Sequence, residues 1–461
     1  MVLTAVLLAT ACGEAGDTDT ASSDPTVATS VVPSGDRGWL EGDDLEWFDS
    51  SGGLDESGDD MAMDMDMATE ASDGDSEFRE IGPIDPRPDD SPLQAGSIDD
   101  GDDVAAYLEY RAGVLDSGLR VRPLDVTDST VFTVTGSNGL PVLDAAVEFW
   151  DPAADRATGT PLVTLRTTAD GSVRFAPAAM AADAAELAVV VRVGDVATDV
   201  AYERGVTSVD VSVEAPGGVD GSVPLDVHFV IDATGSMGDE ISRLRDNMTS
   251  IANQIAALPS APDVRFGMTV YRDVGDLFVT RTFDLTDDLS SFLDALADVQ
   301  AEGGGDYPEA LDEALADALE KPEWRRDGAV ELMFVIADAP NQVERDVQTP
   351  ATATAVAAAE AGVKIFPVAA SGTDDQAEYV MRELAFVTGG RFVFLSYGVA
   401  GAGTATGPSS DISADDYDEL PLDALVVRLV QDELEALTGD EQLPPETTTT
   451  SLPVTTTTFE Q

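Results

Sequence analysis

Cysteine, histidine and positive charge are almost missing from this chain, and each shortage removes a class of function. The one Cys, Cys12, excludes an intramolecular disulfide and a zinc site of cysteine type. The one His, His228, sits inside an apolar strand pattern, where a buried, hydrogen-bonded ring is expected rather than a catalytic base. An enzyme is therefore not expected. Twenty-four Lys+Arg stand against 89 Asp+Glu, a formal charge of −65, so phosphate backbones are repelled and nucleic acid is not an expected partner. Lysine occurs only at Lys321 and Lys364, and the excess of acid fits a saline habitat as well as it fits any ligand. Beyond the extreme N-terminus no apolar run approaches the roughly 18 to 20 residues that a membrane-spanning helix needs. What is present is 461 residues with 43% apolar composition, room for two or three domains.

Residues 1–11 read as a signal peptide: Val2 to Leu8 are apolar and run through small residues into Cys12 (LLATAC). The pattern resembles the lipobox of bacterial lipoproteins, which implies cleavage before Cys12 and a diacylglyceryl group on its sulfur. Two acyl chains suffice for stable anchoring. Ala9 stands where Leu is commoner, and no Lys or Arg precedes the apolar run, which a start upstream of Met1 would explain. The resemblance implies a lipid-anchored protein on the extracellular face of the cell membrane. Residues 12–103 continue as a disordered acidic linker, since Gly13 to Asp103 hold 28 Asp+Glu against Arg37, Arg79 and Arg87. Its Asp/Met tract, Asp59 to Met67, lacks EF-hand spacing and reads as a solvated spacer. Residues 439–461 form a Pro/Thr-rich tail.

The middle of the chain divides in two. Residues 104–215 carry short β runs such as VFTVTG, AAVEFW and LAVVVRV, separated by Gly, Asp and Asn turns, with a short helix from Val104 leading in. Period-2 alternation at this spacing predicts a small antiparallel β-sandwich, and TVTGSNGLPVLDAAVEFW followed by TTADGSVRFAP resembles the transthyretin-like or carboxypeptidase-regulatory-like sandwich. After a linker at Ala215 to Ser222, residues 223–438 alternate strands with helices, the signature of an α/β fold with a mostly parallel sheet, closed by an amphipathic C-terminal helix.

Ligands of an open parallel sheet bind at the carboxyl ends of its strands, where strand order reverses. Three polar clusters fall there. Asp232, Thr234 and Ser236 (DATGSM) follow the first strand at i, i+2 and i+4, a spacing that converges three oxygens. Asp338 is the polar stop of LMFVIAD, and GGGDYPEA, Gly303 to Ala310, contributes Asp306 and Glu309. Hydroxyl and carboxylate oxygens without His or thiolate suit a hard divalent cation, Mg²⁺, Mn²⁺ or Ca²⁺.

At these residues the chain resembles a von Willebrand factor A domain with a metal-ion-dependent adhesion site. The resemblance spans Pro224 to Leu395 and extends toward Leu437, with DATGSM, YRD at Tyr271 to Asp273, GGGDYPEA, IADAP at Ile336 to Pro340 and VTGGRFVFL in order. It implies a doubly wound, Rossmann-like sheet in order 3-2-1-4-5-6 with one antiparallel edge strand. It also implies direct ligation by Thr234 and Ser236, with Asp232 and Asp338 acting mainly through water. Family members commonly place a Thr in the second loop, and Gly303 to Asp306 offer none. DYPE, Asp306 to Glu309, instead resembles the integrin β loop in which a glutamate reaches the metal, so this loop's ligand is either Glu309 or Asp306. A cation held by neutral hydroxyls at a helix N-terminus, where the dipole disfavours it, stays electron-poor. The expected partner is a protein that supplies an Asp or Glu carboxylate. The expected function is envelope-anchored binding or adhesion; the alternative is a structural or assembly subunit of an envelope complex, with the metal incidental. Because −65 repels acidic partners over a Debye length of ~8 to 10 Å, association should speed up with added salt.

Overall fold

A computed structural model of the chain describes residues 40–41, 93–396 and 419–438, apart from positions 182, 183, 185, 220, 240, 306, 327 and 371. Cys12, the signal peptide, the Asp/Met tract, Asp306 and the Pro/Thr tail lie outside the described residues. The first elements are β1 (Leu40–Glu41), β2 (Gln94–Ile98) and α1 (Val104–Ser117). Next come β3 (Thr130–Thr135), β4 (Ala146–Trp150), β5 (Val163–Arg166), β6 (Ser172–Phe175), α2 (Pro177–Met180), β7 (Ala188–Val193), β8 (Val196–Val200) and β9 (Ser208–Ser212). The α/β region opens with β10 (Pro224–Asp232), α3 (Ile241–Ala256), β11 (Asp263–Tyr271), β12 (Thr280–Thr286), α4 (Leu289–Ala297) and α5 (Leu311–Glu320). It continues through β13 (Val330–Ala337), α6 (Ala351–Ala361), β14 (Val363–Ala369), α7 (Asp375–Thr388), β15 (Phe392–Ser396), β16 (Leu420–Pro421) and α8 (Leu422–Thr438).

One nine-stranded sheet runs β1-β12-β11-β10-β13-β14-β15-β2-β16. Its centre pairs β10 with β11 and β13, β13 with β14 and β14 with β15 in parallel, while β12 lies antiparallel to β11. This is the doubly wound order 3-2-1-4-5-6, and strands are added beyond both of its edges. Strands β13 (VELMFVIA) and β14 (VKIFPVA) are covered on both faces and buried at every position, so they are near-continuous apolar runs whose only charges, Glu331 and Lys364, are ion-paired. Alternate residues of β10 feed two cores. Val227, Phe229 and Ile231 pack with α3, α4 and α8, and Val230 packs on the face that holds α5, α6 and α7. No helix among the described residues is long and apolar enough to cross a membrane.

Several expected boundaries move. The acidic linker does not run to residue 103: Gln94–Ile98 pair antiparallel with β15, and the short β16 then pairs with β2. Helix α1 does not lead into the β domain. Tyr107 stacks on Phe386 of α7 with ring centroids 4.3 Å apart, and Arg111 pairs with Glu383 at 3.0 Å, so α1 belongs to the α/β core. The β region forms a three-stranded sheet, β6-β3-β9, and a four-stranded sheet, β5-β4-β7-β8, around one core holding Phe132, Phe149 and Phe175. It is not wholly antiparallel, because β9 runs parallel to β3. The chain reaches β9 only after the β7–β8 hairpin of the other sheet, and a parallel neighbour requires such a long crossover. The segment expected as a free linker is tied down at Gly217, whose N–H donates to Asn138 Oδ1 (2.9 Å) and whose carbonyl accepts from Asn138 Nδ2 (2.8 Å).

These small sheets dock on the α/β region. Arg174 donates to the Phe386 carbonyl (3.0 Å) with its guanidinium 3.9 Å from that ring. Lys364 of β14 is buried and pairs with Asp170 of the β5–β6 turn (3.4 Å) and Glu433 of α8 (2.7 Å).

Candidate metal-binding site at the strand ends

Strand β10 ends at Asp232, and the bend that follows is organised by that carboxylate. Asp232 Oδ1 accepts from the Thr234 amide (2.9 Å) and from Thr234 Oγ1 (2.7 Å), an Asx-type turn that aims the hydroxyl along the loop. Asp232 Oδ2 accepts from the hydroxyl of Tyr271 (3.1 Å), its register partner on β11. Thr234 Oγ1 lies 3.1 Å from Ser236 Oγ, which donates to Asp338 Oδ1 at 3.0 Å. The four residues thus form one continuous string of oxygens, although Ser236 and Asp338 lie 102 positions apart.

The GGGDYPEA loop closes over this string. Gly235 N–H donates to the Gly303 carbonyl (3.0 Å), and Glu302 N–H donates to that of Ala233 (2.9 Å). At its far end Glu309 N–H donates to the Pro340 carbonyl (3.0 Å), which brings the glutamate under the loop after β13. Gly304 adopts φ +71°, and a Cβ there would sit 2.9 Å from Glu309 Oε1 and 3.3 Å from Thr234 Cβ. The position therefore demands glycine for both conformation and space. Glu309 is buried, and its Oε2 has no hydrogen-bond partner among the described residues. Asp306, the other candidate of this loop, lies outside the described residues.

Electrostatics mark the cluster as short of positive charge. Burial pushes Asp232 up to about 7, Asp338 adds to the shift, and the hydrogen bonds from Thr234 and Tyr271 oppose it. Burial likewise pushes Glu309 up to about 8, with Asp232, Asp273, Asp338 and Asp276 all raising it further. Carboxylates alone do not make a metal cage: among the described residues no group of three or more His, Cys, Asp or Glu is arranged to hold an ion. A site here depends on the two hydroxyls. With Thr234 and Ser236 counted, the donors are all oxygen, they converge, and an unsatisfied buried carboxylate oxygen stands beside them, which fits a hard divalent cation.

Sequence reasoning overlooked the residues that hold these loops. Asp312, buried in the first turn of α5, accepts from Asn341 Nδ2 (2.8 Å), the Ala351 amide (2.7 Å) and Arg122 Nη1 (3.2 Å). Gln342 Nε2 donates to Asp273 Oδ1 (2.8 Å), and Asp276 Oδ2 accepts from the Gly304 amide (2.8 Å). The acidic first turn of α5 was the available signal for Asp312; nothing local announces Gln342. Arg272 pairs with Glu302 (3.4 Å) and donates to the Gln300 carbonyl (3.1 Å). His228 is buried in mid-strand with Nε2 2.9 Å from Thr269 Oγ1.

Residues 226–397 match the family model of the von Willebrand factor type A domain. The α/β region is thus similar to an A domain. Domains of this family commonly bind a divalent metal ion and protein partners. Among curated relatives, the alpha-protein kinase vwkA of Dictyostelium discoideum is 28% identical over 118 residues, 25% of this chain and 18% of the kinase. An ariadne-like RING finger protein of Acanthamoeba polyphaga mimivirus is 30% identical over 92 residues, 20% of this chain and 9% of that protein. The chain thus spans less than a fifth of either relative. Among solved structures, proximal thread matrix protein 1 of the mussel byssus is similar at 16% identity and TM-score 0.29, covering 36% of this chain and 40% of that one. The pilus adhesin SpaC of Lactobacillus rhamnosus GG is similar at 13% identity and TM-score 0.31, covering 54% and 32%.

Proposed function

We propose that the A domain captures a carboxylate of a protein partner through a divalent cation, Mg²⁺, Mn²⁺ or Ca²⁺. Thr234, Ser236 and Glu309 hold it directly in this reading, and Asp232 and Asp338 act through water. One observation carries the reading: buried carboxylates and hydroxyls converge where no guanidinium or ammonium is hydrogen-bonded to Asp232 or Glu309 among the described residues. When bound, such a cation supplies positive charge and an open coordination position. Asp232 meanwhile orients the Thr234 hydroxyl, Tyr271 orients Asp232, and Gly304 leaves room for the Glu309 carboxylate. We read the site as non-catalytic, because the His228 ring is buried within β10 and burial pushes it down to about 3.

The test is a thermal melt of wild type and Asp232→Ala with and without each cation, since a ligand of the folded state raises Tm. Equal Tm values with and without every cation in the wild type would remove the metal reading. Pull-down of surface partners with and without a chelator then tests capture itself. We further propose, from LLATAC, that a lipid on Cys12 tethers the chain to the outer face of the cell membrane. A Cys12→Ser chain that still fractionates with membranes would overturn that placement.

A further inference from the structure

We propose that the β11–β12 turn and Tyr307 form an apolar rim that selects partner segments whose acidic residue is flanked by bulky apolar side chains. The proposal rests on the capture reading above and adds the chemistry of the partner's neighbouring residues. Among the described residues six large apolar side chains are exposed, and three of them border this site: Leu277 (81% exposed), Val274 (50%) and Tyr307 (42%). A lone exposed Leu is ordinary, but a group beside a binding site marks an interaction surface.

The rim is built rather than frayed. Asp276 Oδ2 accepts from the Asp273 amide (3.2 Å) and the Gly304 amide (2.8 Å), so the turn carrying Val274 and Leu277 is tied to the loop over the oxygens. A Cβ at Gly303 would overlap the Asp276 carboxylate, which shows how closely the two loops meet. Phe278, next to Leu277, packs against the core with the Arg272 and Arg281 guanidinium groups 4.7 and 4.1 Å from its ring. The turn therefore anchors itself with Phe278 and leaves Leu277 outward. Across the site, the Tyr307 hydroxyl donates to the Asp338 carbonyl (3.0 Å), which holds the ring beside the last member of the oxygen string.

Charge complementarity and the rim divide the work of recognition. A chain of net charge −65 repels acidic partners at a distance, so a carboxylate gains attraction only at the cation itself. Apolar contact is indifferent to that field and acts at the same short range. Carboxylates are abundant on any protein surface, and a neighbouring Phe or Leu is what this rim can distinguish.

The experiment measures fluorescence anisotropy of end-blocked, dye-labelled peptides Gly-Phe-Asp-Leu-Gly and Gly-Gly-Asp-Gly-Gly with the full chain in Mg²⁺ at about 0.15 M ionic strength. The apolar peptide is expected to bind roughly tenfold tighter, the scale of burying one such side chain. A chelator should abolish both signals. In the Val274→Ser, Leu277→Ser double variant the two peptides should bind alike, with the Mg²⁺-dependent rise in Tm checking that fold and cation uptake persist. Equal, chelator-sensitive binding of both peptides to wild type overturns the rim and leaves carboxylate capture standing, as does a preference that survives the double variant. Cation uptake with no binding of either peptide overturns both.

Discussion

Strand β10 carries a fully buried aspartate near each end, and the surrounding chain treats the two in opposite ways. At the N-terminal end Asp226 Oδ1 accepts from Arg265 Nε and Arg325 Nε, both at 2.9 Å, and Oδ2 accepts from Arg265 Nη2 (2.6 Å) and the Arg325 amide (2.9 Å). At the C-terminal end Asp232, among the described residues, receives only hydroxyls and one amide, and it faces Glu309 and Asp338. A chain with 24 cationic side chains for 89 acids places two of them on Asp226 and, among the described residues, none in hydrogen-bonding contact with Asp232. Burying a carboxylate without a counter-charge costs stability. The contrast separates an acid that is neutralised by arginines at the bottom of the sheet from acids that, in the proposed reading, would face a cation at its top.

The sharpest way to break this comparison is to neutralise each aspartate in turn. Asp226→Asn strands two partly buried guanidinium groups and is expected to cost about 3 kcal/mol or more in denaturant unfolding. Asp232→Asn, measured without cation, should cost far less or raise stability, since it removes a buried acid. Equal losses at the two ends would erase the distinction. Next in size, a cation at about a hundred times its Kd should stabilise the wild type by ~2.7 kcal/mol, read as a rise in Tm, and Asp232→Ala should lose that increment.

The pH dependence sharpens the same contrast. Asp232 and Glu309 keep their protons in the folded chain up to about 7 and about 8, whereas unfolded carboxylates release theirs near 4. Between these values the folded state binds more protons, so without cation this cluster lowers stability as pH rises from about 4 to above 8. Added Mg²⁺ should offset that fall, and its effect on Tm should be greater at about pH 8 than at about pH 5, where protons compete for the same oxygens. A cation increment independent of pH would contradict it. The smallest expected effect belongs to Tyr271→Phe, which removes one hydrogen bond to Asp232. About 1 kcal/mol or less of stability should go with it, alongside a weaker cation response in the same melts.

Much of the fold is legible because its causes are local. In α3, Ile241, Leu244, Met248, Ile251 and Ile255 recur at a 3.6-residue period and are all buried, and the alanine-rich run Ala351–Ala361 forms α6. The site is legible for the same reason at DATGSM, where Asp232, Thr234 and Ser236 lie within five residues. Strand β2 was not legible, because an acidic flank masks five residues whose partners lie on β15, nearly 300 positions away. Helix α1 misled because its partners lie on α7, through contacts such as Arg111 to Tyr379 (2.8 Å) at a separation of 268.

The sequence by itself determined the alternation of strands and helices from Pro224 to Leu395 and the oxygen chemistry of the loops, because hydrophobic period and turn residues act over a few positions. Only the tertiary structure decided that Ser236 meets Asp338, that Glu309 is buried with an oxygen unsatisfied among the described residues, and that the Tyr271 hydroxyl steadies Asp232. Those outcomes depend on strand register and loop packing between segments far apart in the chain. Burial, the largest influence on Asp232 and Glu309, exists only once the segments have closed over one another.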